Sequence, residues 1–298
     1  MRLQFYTTED GHRINGIWVP ERQCFVDLGE RYDSLIKALF GEALFGDQTA
    51  SARNRMDIER WLHDGARGAH EIAPDSYRVD AAVPFFPSKI VCLGKSYAAH
   101  AREFDGHIPS EPEVFLKATS ALCGVYDPVL RPPSCEKLDY EVELALVIKS
   151  RLKNASPEES QRGILGYTLM CDYSERDNQL GRGSQWTKGK SYESFAPVGP
   201  VLITPDEISD PRDLSLQLMV NGEKRQWGKT SSLIAPIDHL ISYISKFMTL
   251  CPGDIVSTGT PSGVAMGMKE PKYLKPDDLI EWGCSQIGWA RQIVCQDH

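Results

Sequence analysis

Nowhere in the 298-residue chain do 18 apolar residues run together, so no membrane-spanning helix is expected. An apolar leader is missing as well. Met1 to Thr7 runs straight into Glu9 and Asp10, so no secretory signal is expected at this end. Positive charge is scarce: 33 Lys and Arg stand against 41 Asp and Glu, a net charge of −8. Without a basic footprint, neither nucleic acid nor a membrane surface is an expected partner, and a small anionic substrate must be met by a local cluster of cations. The eight cysteines (24, 92, 123, 135, 171, 251, 284 and 295) form no Cys-x-x-Cys pair. Most sit in apolar runs such as Ile90-Val91-Cys92-Leu93, as buried thiols of a reducing, cytoplasmic compartment do. Without a leader, Asn154-Ala155-Ser156 reads as a chance match to a glycosylation pattern. The 41% apolar and 25% charged fractions exclude wholesale disorder and fibrous structure.

What is present divides in two. Residues 1–83 read as a small α+β accessory unit. Short strands near Leu3–Phe5, Gly16–Val19 and Cys24–Val26 precede a helix from Ser34 to Leu44, capped by Asp33, and a second helix from Ser51 to Asp64. Pro84-Phe85-Phe86-Pro87 marks the boundary, and residues 84–298 form the second unit. There, short apolar runs alternate with Gly, Pro and Asp-rich turns, the texture of a β-rich domain with few helices. One late helix is expected from Ser231 to Phe247.

The segment Asp139-Tyr140-Glu141-Val142-Glu143-Leu144 carries the first chemical signal. Glu141 and Glu143 are two apart on a strand and share a face, where like charges repel unless a cation intervenes. Asp172 ends another apolar run. Three carboxylates without His or Cys are a hard oxygen set, suited to Mg²⁺, Mn²⁺ or Ca²⁺. Alone, the segment reads equally well as a solvated edge strand. His100 and Glu103, three apart on a short helix, form a pair that would fix the imidazole tautomer for a general base; alone, it reads equally as a surface ion pair. Arg176, Gln179 and Lys190 supply groups for an anionic substrate, although Arg176 could instead pair with Glu175 or Asp177. The turn Thr258-Gly259-Thr260-Pro261-Ser262-Gly263 offers hydroxyls and exposed N–H groups.

Taken together, seven segments in order carry a resemblance: Gly94-x-x-Tyr97-x-x-His100-x-x-Glu103, Pro112 to Lys117, Asp139 to Leu144, Asp172-x-x-x-Arg176-Asp177-x-Gln179, Gly189-Lys190-Ser191, Val220-Asn221-Gly222-Glu223, and Pro252-Gly253-Asp254 with Thr258 to Val264. Over residues 86–294 the chain resembles the fumarylacetoacetate hydrolase superfamily. The resemblance implies an α+β fold with a mixed β-sandwich roll as the catalytic domain, and a homodimer. It implies a divalent metal, normally Mg²⁺, at Glu141, Glu143 and Asp172. It also implies a lid helix bearing catalytic His100 and Glu103, a catalytic lysine at Lys190, and substrate contacts at Arg176, Gln179 and Thr260. Two departures stand out. Ser96 replaces a frequent Asn, and Gly183 replaces the tyrosine that would touch fumarylacetoacetate, which counts against that substrate.

The expected reaction is metal-dependent hydrolysis of the C–C bond of a 2,4-dioxo acid, an acylpyruvate such as fumarylpyruvate or maleylpyruvate. His100 activates water, Lys190 steadies the oxyanion, and the ion acts as Lewis acid for the departing pyruvate. The alternative is a decarboxylase, isomerase, or hydratase or dehydratase acting on a related 2-oxo acid. A non-catalytic scaffold would show a degraded motif set, which this chain does not. Specificity is expected from Phe104 to Ile108 and from Gly181 to Ser184, with Arg102 and Arg182 hinting at a second substrate carboxylate.

Overall fold

The computed structural model describes residues 1–45, 48–73, 77–104, 108–181, 183 and 185–297. The chain opens with an antiparallel meander, β1 (Arg2–Thr7), β2 (Arg13–Val19) and β3 (Cys24–Asp27), followed by α1 (Arg31–Phe45) and α2 (Gln48–His63). A short β4 (Arg78–Val79) leads to β5 (Ile90–Gly94), α3 (Ala98–Phe104) and β6 (Glu113–Lys117). Next come β7 (Leu122–Cys123), β8 (Val129–Arg131), β9 (Leu138–Asp139) and β10 (Val142–Ile148). Then follow α4 (Pro157–Arg162), β11 (Ile164–Cys171), β12 (Ser174–Glu175), α5 (Thr187–Lys190) and β13 (Ala196–Ile203). The last third holds β14 (Ser215–Val220), β15 (Glu223–Lys229), α6 (Ile237–Ser245), β16 (Ile255–Ser257), β17 (Leu279–Cys284) and β18 (Gly288–Gln296).

Two mixed sheets build the body. The larger runs β3-β2-β1-β13-β11-β10-β16-β5-β6, with β4 beside β1 and β7 beside β13; the smaller runs β15-β14-β17-β18-β8. The meander does not stand apart. Arg2 and Leu3 pair with Ile203 and Leu202 of β13, so residues on both sides of the 83/84 division share one sheet. A single hydrophobic cluster runs from Leu3 and Phe5 through Leu144 and Leu169 to Trp282 and Val294. All residues of β10, β11 and β13 are buried. Strands covered on both faces need continuous apolar sequence, which is why these runs were legible. Glu143 is the one charged residue inside β10.

Two helix expectations change. Asp33 lies in the first turn of α1, which starts at Arg31, so it is not the cap; its charge still favours the positive end of the helix dipole. The late helix begins at Ile237, not Ser231. Pro236 keeps Ala235 out of helical backbone, and Thr230–Ser232 make a separate 3₁₀ turn. All eight cysteines are free, four of them buried. Among the described residues, no helix is long and apolar enough to cross a membrane.

The central position of β10 makes a stability prediction. Leu144 is wholly buried, whereas Ile293 on β18 is 51% exposed. Leu144→Ala should cost about 2–5 kcal/mol in chemical denaturation, and Ile293→Ala less than about 1 kcal/mol. Equal losses would refute the assignment of the core.

Candidate active site

The site is assembled where β10 begins and β11 ends. Val142 pairs with Cys171, and the N–H of Asp172 donates to the carbonyl of Glu141 at 2.8 Å. This register sets Glu141, Glu143 and Asp172 side by side. One oxygen from each lies within 4.8 Å of the others, and all three residues are buried.

Three buried cations serve this cluster. Lys190 Nζ, at the end of α5, donates to Glu141 Oε2 and Asp172 Oδ2, each at 2.6 Å. Lys117 Nζ, at the end of β6, donates to Asp172 Oδ1 at 2.5 Å and to the carbonyl of Tyr173 at 3.1 Å. Arg176 donates through Nη2 to Glu141 Oε1 (2.7 Å), through Nε to Asp139 Oδ2 (2.9 Å) and through Nη1 to Gln179 Oε1 (2.8 Å). It pairs with neither Glu175 nor Asp177. Glu175 accepts the N–H groups of Asp177 and Asn178, and Asp177 takes Lys137. Glu143 receives Ser257 Oγ at 2.5 Å and the N–H of Gly259 at 2.9 Å, both on Oε2. Gly259 has φ +87°, and a Cβ there would sit 1.9 Å from Ser96 Oγ, so only glycine brings that N–H to the carboxylate. Ser96 in turn donates to the Thr258 carbonyl at 2.5 Å, which ties the turn before α3 to the end of β16.

The protonation of the carboxylates follows from this wiring. Burial drives the Glu141 carboxyl upward, but Arg176 and then Lys190 more than reverse it and hold the group well below the ordinary carboxylate range. Glu143 goes the other way: burial, then the charges of Asp172 and Glu141, push it well above the ordinary value. For Lys190, burial works downward, but Asp172 and Glu141 outweigh it and keep the ammonium charged. With all four ionised, the buried carboxylates (Asp139, Glu141, Glu143, Asp172) outnumber the buried cations (Lys117, Arg176, Lys190) by one negative charge, and it is Glu143 whose ionisation the surroundings oppose. A carboxyl whose ionisation is opposed by burial and by two neighbouring carboxylates, in an all-oxygen set, suits a hard divalent ion that would favour its charged form. The residues present fit Mg²⁺.

His100 and Glu103 project from α3 over this cluster. Nδ1 of His100 lies 3.0 Å from Glu103 Oε2, and Glu103 Oε1 accepts the N–H of Gly263 at 2.7 Å. Bonding to the carboxylate assigns the proton to Nδ1 and the lone pair to Nε2, the nitrogen a general base would use. Glu143, Glu141, His100, Arg176, Gln179, Lys190 and Thr260 line one cavity of about 230 Å³. Thr260 Oγ1 is committed to the framework, donating to the Val142 carbonyl (2.9 Å) and accepting from Gln226 Nε2 (2.8 Å). Asp172 is tied to the cluster through Lys117 and Lys190, and Glu103 through His100.

Sequence reasoning gave no role to Lys117 or Asp139, both inside quoted motifs. Their signal was a charge at the inner end of an apolar stretch. Asp139 also accepts the N–H groups of Ala265 and Met266, at 2.8 and 3.0 Å. Of the specificity segments, Asp105, Gly106, His107, Arg182 and Ser184 lie outside the described residues, whereas Arg102 is exposed and Gly183 has φ +103°.

Residues 89–295 match the fumarylacetoacetate hydrolase C-terminal family. A 2,4-didehydro-3-deoxy-L-rhamnonate hydrolase from Sphingomonas sp. is 46% identical over 70% of this chain and 73% of its own. A mitochondrial oxaloacetate tautomerase from Bos taurus is 41% identical over 68% of this chain and 65% of its own, just under two thirds. Among solved structures, a fumarylacetoacetate hydrolase from Exiguobacterium antarcticum superposes with TM-score 0.80 at 30% identity, covering 100% of both chains. A maleylpyruvate hydrolase from Sphingobium sp. does so with TM-score 0.77 at 27% identity, again covering 100% of both. The fold is therefore the α+β fold of that group, and the chain belongs to the fumarylacetoacetate hydrolase family.

Proposed function

We propose that the protein is a divalent-metal-dependent hydrolase that splits the C–C bond of a 2,4-dioxo acid into pyruvate and a carboxylic acid. The observation that carries this reading is that His100, held by Glu103, shares one cavity with Glu141 and Glu143, which stand beside Asp172 in a cluster of three buried carboxylates. Charge supports it. A dication added to a cluster with one surplus negative charge leaves one positive charge, which a monoanionic 2-oxo acid headgroup would balance. The Sphingomonas relative supports it too, since its name describes oxo groups at carbons 2 and 4 around a methylene. Fumarylpyruvate and maleylpyruvate belong to the same class of acid, as do acylpyruvates with a single carboxylate.

Glu141, Glu143 and Asp172 would hold Mg²⁺, or Mn²⁺ or Ca²⁺ in its place, and a bound ion would supply Lewis acidity to the 2-oxo acid headgroup. The chain's own groups do the rest. His100, oriented by Glu103, takes a proton from water as it attacks carbon 4. Two of the three N–H groups of Lys190 serve Glu141 and Asp172, and the third is offered to the oxyanion. The bond between carbons 3 and 4 breaks, its electron pair stays with the pyruvate fragment, and His100 returns the proton there. Arg176 and Gln179 orient the headgroup from the side of Glu141.

A second reading is favoured by the bovine relative: tautomerisation of oxaloacetate, which needs proton transfer at carbon 3 but no attacking water. Parallel assays on one Mg²⁺-loaded preparation separate the two. Release of acid from acylpyruvates is expected, and its absence alongside brisk keto–enol exchange of oxaloacetate would overturn the hydrolase reading.

His100→Ala should lower hydrolysis by about 10²–10⁴-fold while Mg²⁺ still binds in a calorimetric titration. Glu143→Gln should weaken that binding by more than about 100-fold, and an unchanged titration would remove Glu143 from the ligand set. The homodimer belongs to the same proposal. The exposed face of the smaller sheet, with Trp227, Trp289 and Ile293, supports it, and light scattering should give twice 33.3 kDa.

A further inference from the structure

We propose that the outer half of the cavity selects a substrate whose acyl end is apolar and carries no second carboxylate, with Leu180 and Trp186 as the specificity-determining side chains. The inference deepens the 2-oxo acid reading above and rests on it.

The cavity has two chemically different halves. The inner half is the charged cluster. From there the wall turns aromatic. The Phe115 ring lies 5.0 Å from Lys190 Nζ, and Trp186 meets Phe115 edge-on, with centroids 5.4 Å apart and planes at 61°. The indole is wedged against the backbone of Gly94, where a Cβ would come within 2.6 Å of its ring. Trp186 thus packs between Gly94 and Phe115 as one wall of the cavity. Leu180, also lining the cavity, is 45% exposed. A leucine kept half in water beside a catalytic cavity gains its apolar contact when a ligand covers it.

The cations point the same way. Each described lysine or arginine that lines the cavity already has a carboxylate of the protein. Lys95 lies 3.4 Å from Glu113 Oε1, Arg176 holds Asp139 and Glu141, and Lys190 holds Glu141 and Asp172. A second substrate carboxylate would enter between Phe115, Trp186 and Leu180 and lose water without gaining a partner among these groups. A methyl or methylene placed there is favoured.

The test uses a matched pair of 2-oxo acids that the proposed reaction cannot cleave. 2-Oxohexanoate and 2-oxoadipate have the same chain length, one ending in methyl and the other in carboxylate. In calorimetric titration of the Mg²⁺-loaded full chain, 2-oxohexanoate should bind about tenfold or more tighter. From 2-oxobutanoate upward, affinity should rise about fourfold per methylene. Trp186→Ala should flatten that rise, and Leu180→Lys should narrow or invert the preference over 2-oxoadipate. Equal or tighter binding of 2-oxoadipate by the unaltered protein would overturn the inference, as would an unchanged ratio in Leu180→Lys. If the selectivity appears but no acylpyruvate is cleaved, the hydrolase reading falls and the inference stands. If neither acid binds the folded, Mg²⁺-loaded protein, both fall.

Discussion

Charge that has been taken out of water must be balanced nearby, and this protein sets seven buried ionisable groups around the start of its central strand. Removing one partner from a buried ionic cluster costs far more than an exposed ion pair could, because the remaining charge is stranded. That penalty dictates the architecture around β10. The inner ends of β6, β11 and α5, together with the segment after β12, each arrive at one place because each delivers Lys117, Asp172, Lys190 or Arg176 to it. With every carboxylate ionised, the cluster is nevertheless left one positive charge short. A divalent ion together with an anionic ligand would complete that balance.

The same economy of contacts joins the site to its cover. Glu103 reaches His100 with one oxygen and the Gly263 backbone with the other. Asp139 holds Arg176 and, at the same time, the backbone of the 3₁₀ turn at Ala265–Gly267. His100 and the carboxylate cluster are thus referenced to one glycine-rich stretch after β16. Gly259 and Gly263 permit this because a side chain at either would collide with neighbouring atoms within about 2 Å.

Much of this was legible in the sequence, for identifiable reasons. Strands buried on both faces write themselves as apolar runs, so β10, β11 and β13 stood out, and a glutamate within β10 marked the site. His100 and Glu103 meet because a helical turn places third neighbours together. Other features were hidden. The partners of Arg176 are 35 and 37 residues away, and local spacing pointed to its sequence neighbours instead. Lys117 faces Asp172 only through the order of strands in the sheet, which no short window encodes. The start of α6 was misjudged because its apolar periodicity continues through Leu233 and Ile234, while Pro236 fixes the true beginning. The wall of Phe115, Trp186 and Leu180 comes from three separate segments.

The first strand has a role beyond the small unit it opens. β13 is buried along its whole length, and its side facing away from β11 is covered by β7 at one end and β1 at the other. A long apolar strand with an open flank is a template for other chains. Arg2 and Leu3 therefore seal one end of β13 in the sheet that carries the candidate site. A truncated chain that began at the Pro84–Pro87 boundary would keep every residue of the candidate site and still carry an adhesive seam, which would register as self-association and loss of solubility.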